Sequence, residues 1–264
     1  MSSSSAQATK GEIFVLIPLG LALLASLAFM FSGKKQETPA MHPEHELAWV
    51  RPYLTNLQTG GVNDMTVQSL RASKATVVPL LVSEMNVRPP TMGKTVSENV
   101  EKLLSRYTAY RPQVNVSDGY RAAAADALQS MFRDRGAGTY HPASSAEAEL
   151  LLPVLVNALY DNALMVRVHA AGTLGAFTNN ATDALELCRI ALADHHWLVR
   201  ASAMNSLETL VKVQPAAVDL VKAGLKDSHH EVRRSAVAVF ERAGFAVPEE
   251  VRNSIPQAVA SGFE

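Results

Sequence analysis

The feature that most constrains this chain is a self-similarity at a spacing of 33 residues in its C-terminal half. Three segments align without gaps: LYDNALMVRVHAAGTLGAF from Leu159, LADHHWLVRASAMNSLETL from Leu192 and LKDSHHEVRRSAVAVFERA from Leu225. The matching columns are Leu159, Leu192, Leu225; Asp161, Asp194, Asp227; Val166, Val199, Val232; Arg167, Arg200, Arg233; Ala170, Ala203, Ala236; and Leu174, Leu207, Phe240. Columns held in register across three copies mark one structural unit used repeatedly, and periods of about 20–50 residues belong to stacked repeat arrays.

The physics of one unit is readable. A first helix precedes the Asp, a short turn follows, and a second helix begins near the Val-Arg pair. In that helix Val166, Ala170, Leu174 and Phe177 recur at helical spacing and predict one buried stripe. The small alanine in mid-stripe lets two helices pack closely. The Asp stands where a carboxylate can accept from the free N–H groups of the following helix. The Arg is placed to reach an Asp of a neighbouring repeat. Asp161, Asp194 and Asp227 with Arg167, Arg200 and Arg233 therefore predict a ladder of paired charges. Each unit leaves an apolar face open, so the units must stack. The repeats read as residues 146–178, 179–211 and 212–245.

A weaker copy lies upstream. Tyr120, Arg121, Ala124 and Leu128 fit the same columns with Tyr in place of Val, and its first helix is expected over 96–107. Glu44–Leu57 and Met65–Glu84 are helical by pattern, with Pro52 expected to kink or shorten the first. A terminal helix, Pro248–Ala260, is expected to cap the stack, with Pro248 in its first turn. The expected fold is all-α: one N-terminal transmembrane helix, then an α-solenoid of five helix pairs and a cap over residues 44–264, without strands.

The motif Asp-x4-Val-Arg-x2-Ala-x3-Leu stands at 161–174 and 194–207, with Phe240 closing the third copy. It resembles the HEAT-repeat family, and within it the short HEAT-like repeats of phycobiliprotein lyases. The resemblance covers residues 146–245 and is specific for fold but poor in functional detail. It implies a binding scaffold with protein partners.

The N-terminal end carries a different signal. Ile13 to Ser32 (IFVLIPLGLALLASLAFMFS) contains no charged residue. At a rise of about 1.5 Å per residue such a helix spans about 30 Å, the hydrocarbon thickness of a bilayer. Lys10 and Glu12 bound the run on one side, Lys34 and Lys35 on the other, and Pro18 is tolerated in lipid. The run ends in Phe29, Met30 and Phe31, which suits a retained anchor better than a cleaved signal peptide. Residues 1–12 read as a disordered tail, 13–32 as the transmembrane helix and 33–43 as a linker. Lys34, Lys35 and Arg51 after the helix, against Lys10 before it, place the C-terminal domain on the cytoplasmic side.

Charge excludes a class of partner. The chain has 24 basic and 25 acidic residues, and three of the basic ones but one acid fall within residues 1–35. The solenoid is thus slightly acidic, without the clustered Lys and Arg that drive counterion release from nucleic acid. The single cysteine, Cys188, lies in an apolar row with Leu185 and Leu192 and reads as a core residue.

Three longer connections interrupt the N-terminal half: Asn86–Thr95, Thr108–Ser117 and Asp134–Ser145. They hold Arg88, Tyr110, Arg111, Tyr140 and His141, residue types that anchor interfaces, and these five are the candidate partner-binding residues. His195, His196, His229 and His230 fall in two successive turns and read as exposed turn residues. His45-Glu46 and His230-Glu231 do not sit within second helices as the His-Glu pairs of the related di-iron deoxyhypusine hydroxylase do. No catalytic residue, metal site or cofactor is expected. The chain reads as a single-pass membrane scaffold or accessory subunit of a membrane complex. It binds other proteins through its solenoid and the bilayer through residues 13–32. The alternative is a HEAT-type enzyme, either a chromophore lyase or isomerase or a metal-dependent hydroxylase.

Overall fold

The computed structural model describes residues 48–60, 64–87, 116–134 and 136–256. Eleven α-helices run through them: α1 (Val50–Gly60), α2 (Asp64–Ala72), α3 (Lys74–Met85), α4 (Asp118–Phe132), α5 (Ser145–Leu159), α6 (Leu164–Thr173), α7 (Ala181–Leu192), α8 (Trp197–Leu210), α9 (Ala217–Gly224), α10 (His230–Arg242) and α11 (Glu249–Asn253). Among the described residues there is no strand, only an isolated antiparallel bridge between Arg133 and Tyr140.

Local chemistry sets several helix starts. Ser117 accepts from the Tyr120 N–H and opens α4. Ser144 and Glu147 form a reciprocal capping box at α5, which satisfies two backbone donors at once. Asp161 Oδ1 accepts from the Ala163 N–H at 2.9 Å just before α6. Asp194 and Asp227 do the same for the N–H groups of His196 and His229, each at 2.8 Å.

The second helices α4, α6, α8 and α10 form a parallel row, with α5, α7 and α9 packed behind it. The stripe read in the sequence is the seam: Val166, Leu174 and Phe177 are 0% exposed and Ala170 1%. Hydroxyls on α8 knit it to its neighbour. Ser202 donates to the Val168 carbonyl at 2.8 Å, Ser206 to that of Ala171 at 2.7 Å and Thr209 to that of Gly175 at 2.6 Å.

Arginine and aspartate link the turns. Arg167 Nε donates to Asp194 Oδ2 at 2.8 Å, and Arg200 meets Asp227 with two donors, each at 2.8 Å. Arg121 pairs with Asp161 at the upstream end. Each ladder arginine also donates to the carbonyls of its own turn: Arg167 to Asp161 and Asn162, Arg200 to Asp194 and His195, Arg233 to Asp227 and Ser228. Past the last repeat, Arg233 turns to the Ser254 hydroxyl and carbonyl instead. Burial pushes the Asp227 carboxyl up, but the Arg200 hydrogen bond and the His229 N–H outweigh it and hold the group below the usual carboxylate range.

The N-terminal helices depart from the expected pair. The helix expected over Glu44–Leu57 is instead Val50–Gly60, and residues 44–47 lie outside the described residues. Pro52 occupies its first turn, where a missing N–H costs nothing, so the proline marks the start rather than a kink. The single helix expected over Met65–Glu84 is divided at Ser73 into α2 and α3. Pro79 lies inside α3, where it leaves the Ala75 carbonyl without its helical donor, and it does not set the break at Ser73. The broken segment is instead fixed at both sides of the break. Arg71 donates to the Ser130 and Met131 carbonyls at the end of α4, and the Lys74 ammonium sits 3.9 Å over the Phe132 ring. Arg121, near the start of α4, donates to the Met85 carbonyl at the end of α3. The two helices are therefore antiparallel, and α3 does not continue the parallel row.

The helix expected over 96–107 lies outside the described residues. The C-terminal helix is shorter than expected, Glu249–Asn253, with Pro248 immediately before it rather than inside it. Residues 13–32 lie outside the described residues, and no described helix is long and apolar enough to cross a membrane. The described helices fall within one compact unit, Pro43–Glu264.

Candidate functional site

Asp126, Gln129 and Arg133 recur at i, i+3 and i+7, which places them on one side of α4 and its C-terminal cap. Met165 and His169, four apart, share one side of α6. Where these sides meet, the five residues line a groove of about 330 Å³. His169 Nδ1 lies 2.7 Å from Gln129 Oε1 and 3.3 Å from Asp126 Oδ1. Both neighbours are acceptors, so Nδ1 carries the proton. Met165 is 42% exposed and supplies an apolar wall.

The groove depends on two glycines. A Cβ at Gly172 would lie 2.0 Å from Gln129 Nε2 and 2.8 Å from Ser202 Oγ, so the glutamine amide crosses a bare α-carbon. A Cβ at Gly175 would lie 2.6 Å from Tyr140 Cζ. The helix tightens to a 3-10 turn over Leu174–Ala176 beside that ring.

Tyr140 arrives on a short loop closed by its own backbone. Asp134 N–H donates to the Thr139 carbonyl and His141 N–H to that of Phe132, both at 2.8 Å. Asp134 Oδ1 accepts from the Gly136 and Ala137 N–H groups, which hold its carboxyl below the usual range. The Tyr140 hydroxyl donates to the Gly172 carbonyl at 3.0 Å and lies 3.2 Å from Ser206 Oγ, and burial pushes its phenol up. Over this ring sits the Arg133 guanidinium, 5.4 Å from the centroid. Arg133 Nε is buried and has no hydrogen-bond partner among the described residues.

Of the five residues expected to bind partners, Arg88, Tyr110 and Arg111 lie outside the described residues. His141 is exposed, with its backbone pinned to Phe132. Tyr140 turns inward with its hydroxyl bonded, so it supports the groove from below rather than meeting solvent as an anchor. Sequence reasoning missed Asp126, Gln129, Arg133 and Met165. Their trace was the pair Gly172 and Gly175, whose columns hold Asn205 and Ala238, and Glu208 and Glu241, in the other copies.

The histidine turns also differ from the expectation. His195 is exposed, but His196 and His229 act as N-caps, their Nδ1 atoms accepting from the Leu198 and Glu231 N–H groups at 3.2 and 3.3 Å. Trp197 stacks on His229 at 4.3 Å between ring centroids, and His229 on His230 at 4.7 Å. Among the described residues no three His, Cys, Asp or Glu side chains are grouped to hold a metal ion. Cys188 is buried, and burial pushes its thiol far up, which leaves it inert.

A comparison with curated proteins returns no match. Residues 152–240 match the family model described as HEAT repeats. The matched segment runs from within α5 into α10 and contains all three copies of the Asp and Arg columns. In sequence and in geometry alike, residues 152–240 are similar to HEAT repeats.

Proposed function

We propose that this chain is a membrane-anchored scaffold, or an accessory subunit of a membrane complex, that binds other proteins through its solenoid and performs no chemistry of its own. One observation carries the reading: a parallel row of second helices braced turn to turn by part-buried Arg–Asp pairs, within a HEAT-repeat segment. HEAT repeats build helical surfaces for protein recognition, and a braced row keeps such a surface in fixed register. The uncharged run Ile13–Ser32 would hold this surface at a bilayer, with the C-terminal domain on the cytoplasmic side. Anchoring raises the effective concentration of the domain beside partners in the same membrane.

Extraction of the tagged full chain in a mild detergent that preserves other complexes tests the reading. A partner recovered in fixed stoichiometry is expected, and recovery of a bare monomer would overturn the scaffold role. An alkaline wash of membranes separates the anchor from the rest, because a chain released by the wash has no transmembrane helix. A compartment-sensitive reporter at the C-terminus decides the side. Iron or a tetrapyrrole absorption band in the purified protein would replace the scaffold with an enzyme.

A further inference from the structure

We propose that the groove between α4 and α6 receives an acidic side chain of a partner polypeptide, with Arg133 as its anchor and Tyr140 as the residue that positions Arg133. The proposal rests on the scaffold reading and specifies the chemistry of its partner.

Arg133 carries an unmet donor. A guanidinium carries five N–H donors in a planar fork that matches a carboxylate. Here Nε is withdrawn from water without gaining an acceptor among the described residues. Nε itself is closed to a ligand, but Arg133 is only part-buried and lines the groove, so an ionised acceptor there meets the outer N–H groups of the same fork. The Tyr140 ring lies beneath the guanidinium, and its hydroxyl is fixed by the Gly172 carbonyl and Ser206. The cation is therefore held on a rigid platform at the edge of the groove.

The rest of the lining sets direction. Asp126 lies on α4 seven residues before its C-cap Arg133, about 10 Å away along the helix axis. The groove is thus positive at the Arg133 end and negative at the Asp126 end. An incoming carboxylate is attracted to one end and repelled from the other. His169 cannot compete for it through Nδ1, which is committed to Gln129 and Asp126. Met165, at the groove wall, offers apolar surface to a side chain next to the acid. A volume of about 330 Å³ admits one or two side chains. A charged end, an opposing charge and an apolar wall together fit a peptide segment better than a free inorganic anion.

The test uses purified full-length protein in detergent micelles, with isotope-labelled arginine and methionine observed by NMR. The probes are the capped tripeptide leucyl-glutamyl-leucine amide, its glutamine counterpart and inorganic phosphate. The glutamyl peptide should shift the Arg133 Nε–H and Met165 methyl signals saturably. The glutamine peptide should bind at least about tenfold more weakly, the effect of losing one charge-assisted bond. Arg133→Gln should abolish the methyl response. Tyr140→Leu should weaken it, while Tyr140→Phe retains most of it. No shift at Arg133, equal response to both peptides, or tighter binding of phosphate than of the glutamyl peptide would overturn the proposal. The comparison of the two peptides on the unmodified protein stands even if a variant fails to fold. Extraction with Arg133→Gln separates the two readings: a partner that co-purifies equally well with this variant removes the groove and leaves the scaffold intact. A monomer from both proteins sinks the scaffold, and the titration still decides the groove.

Discussion

Residues 146–245 and the described residues of 50–85 are both helical, but they are held together by different means. In the first region the same bond recurs: Arg167 to Asp194 and Arg200 to Asp227, each spanning 27 residues. In the second, each link occurs once: Arg71 to the end of α4, Lys74 to Glu147, Arg51 to Glu84. The burial of the charges differs accordingly. Arg167 and Asp194 are 8% and 9% exposed, because a neighbouring repeat covers each turn, whereas in the other pair only Glu84 is covered, at 3%, and Arg51 is 62% exposed. Stacking thus changes what an ion pair is worth, since a covered charge that loses its partner cannot turn to water.

Arg167→Ala should therefore have the largest effect, about 3–5 kcal/mol of unfolding free energy in urea titration, because it strands a buried carboxylate. Arg51→Ala should cost less, about 1–3 kcal/mol: the arginine is mostly in water, and its buried partner Glu84 keeps the hydrogen bond with Tyr120. The double variant Arg167→Leu with Asp194→Leu should lose less than Arg167→Ala alone. Equal losses for Arg167→Ala and Arg51→Ala would erase the distinction between the two regions.

The next effect lies inside the repeats, where the first copy departs from its siblings. Gly175→Ala forces a methyl against the Tyr140 ring and should cost about 1–3 kcal/mol, as overpacking does. Asn205→Ala, in the Gly172 column one repeat later, should be far milder. Denaturant titration of both variants checks this, and a neutral Gly175→Ala would mean that the Tyr140 loop yields easily.

What could be read from the sequence follows the same division. Three copies in register make every column an internal comparison, so the stripe through Val166, Ala170 and Leu174 is legible in the sequence alone. Residues 50–85 have no second copy. Nothing in the periodicity of Met65–Glu84 revealed that Arg71 and Lys74 are both drawn to the end of α4, which fixes the break at Ser73. Tyr140 was misread for a related reason. A loop rich in Gly, Pro and Ser signals surface, and only the packed structure shows that the bare α-carbon at Gly175 makes room for the Tyr140 ring. The groove is a departure from the repeat, so pattern matching passes over it. Its one trace is the pair of glycines standing where other copies carry side chains.

The contact between the two regions gives a smaller effect. Glu147 belongs both to the capping box of α5 and to the ion pair with Lys74. Burial raises its carboxyl, but the Ser144 N–H and hydroxyl and the Lys74 ammonium prevail and hold it below the usual range. That contribution is present above the unfolded carboxylate value and is lost as pH falls through the folded one. Ser144→Ala should cost about 1 kcal/mol at neutral pH, the typical worth of an N-cap. A thermal melt of the variant beside Lys74→Ala would separate the cap from the bridge.

The helix caps carry the subtlest expression of the same contrast. Helices α4 and α5 are capped by Ser117 and Ser144, whose hydroxyls do not titrate, whereas α8 and α10 are capped by His196 and His229 through Nδ1. Nδ1 can accept from a backbone N–H only while the imidazole is neutral. Burial first, then the charges of His230 and Arg200, hold His229 below the ordinary histidine value. The unfolded chain therefore binds the proton more readily than the folded one. The stabilisation is fully present above the unfolded value, about 6.5, and is lost as pH falls from there through the lower folded value. Protonation also places a positive charge at the N-terminus of α10, where the helix dipole opposes it. Acid should thus loosen the last repeat before the serine-capped helices. Hydrogen exchange near pH 5.5 should show protection falling first in α10, with α4 and α5 little changed. His229→Asn supplies an acceptor that does not titrate and should flatten this pH dependence while leaving stability near pH 7.5 almost unaltered. Equal acid sensitivity in the unmodified chain and in His229→Asn would show that the cap is not the group being protonated.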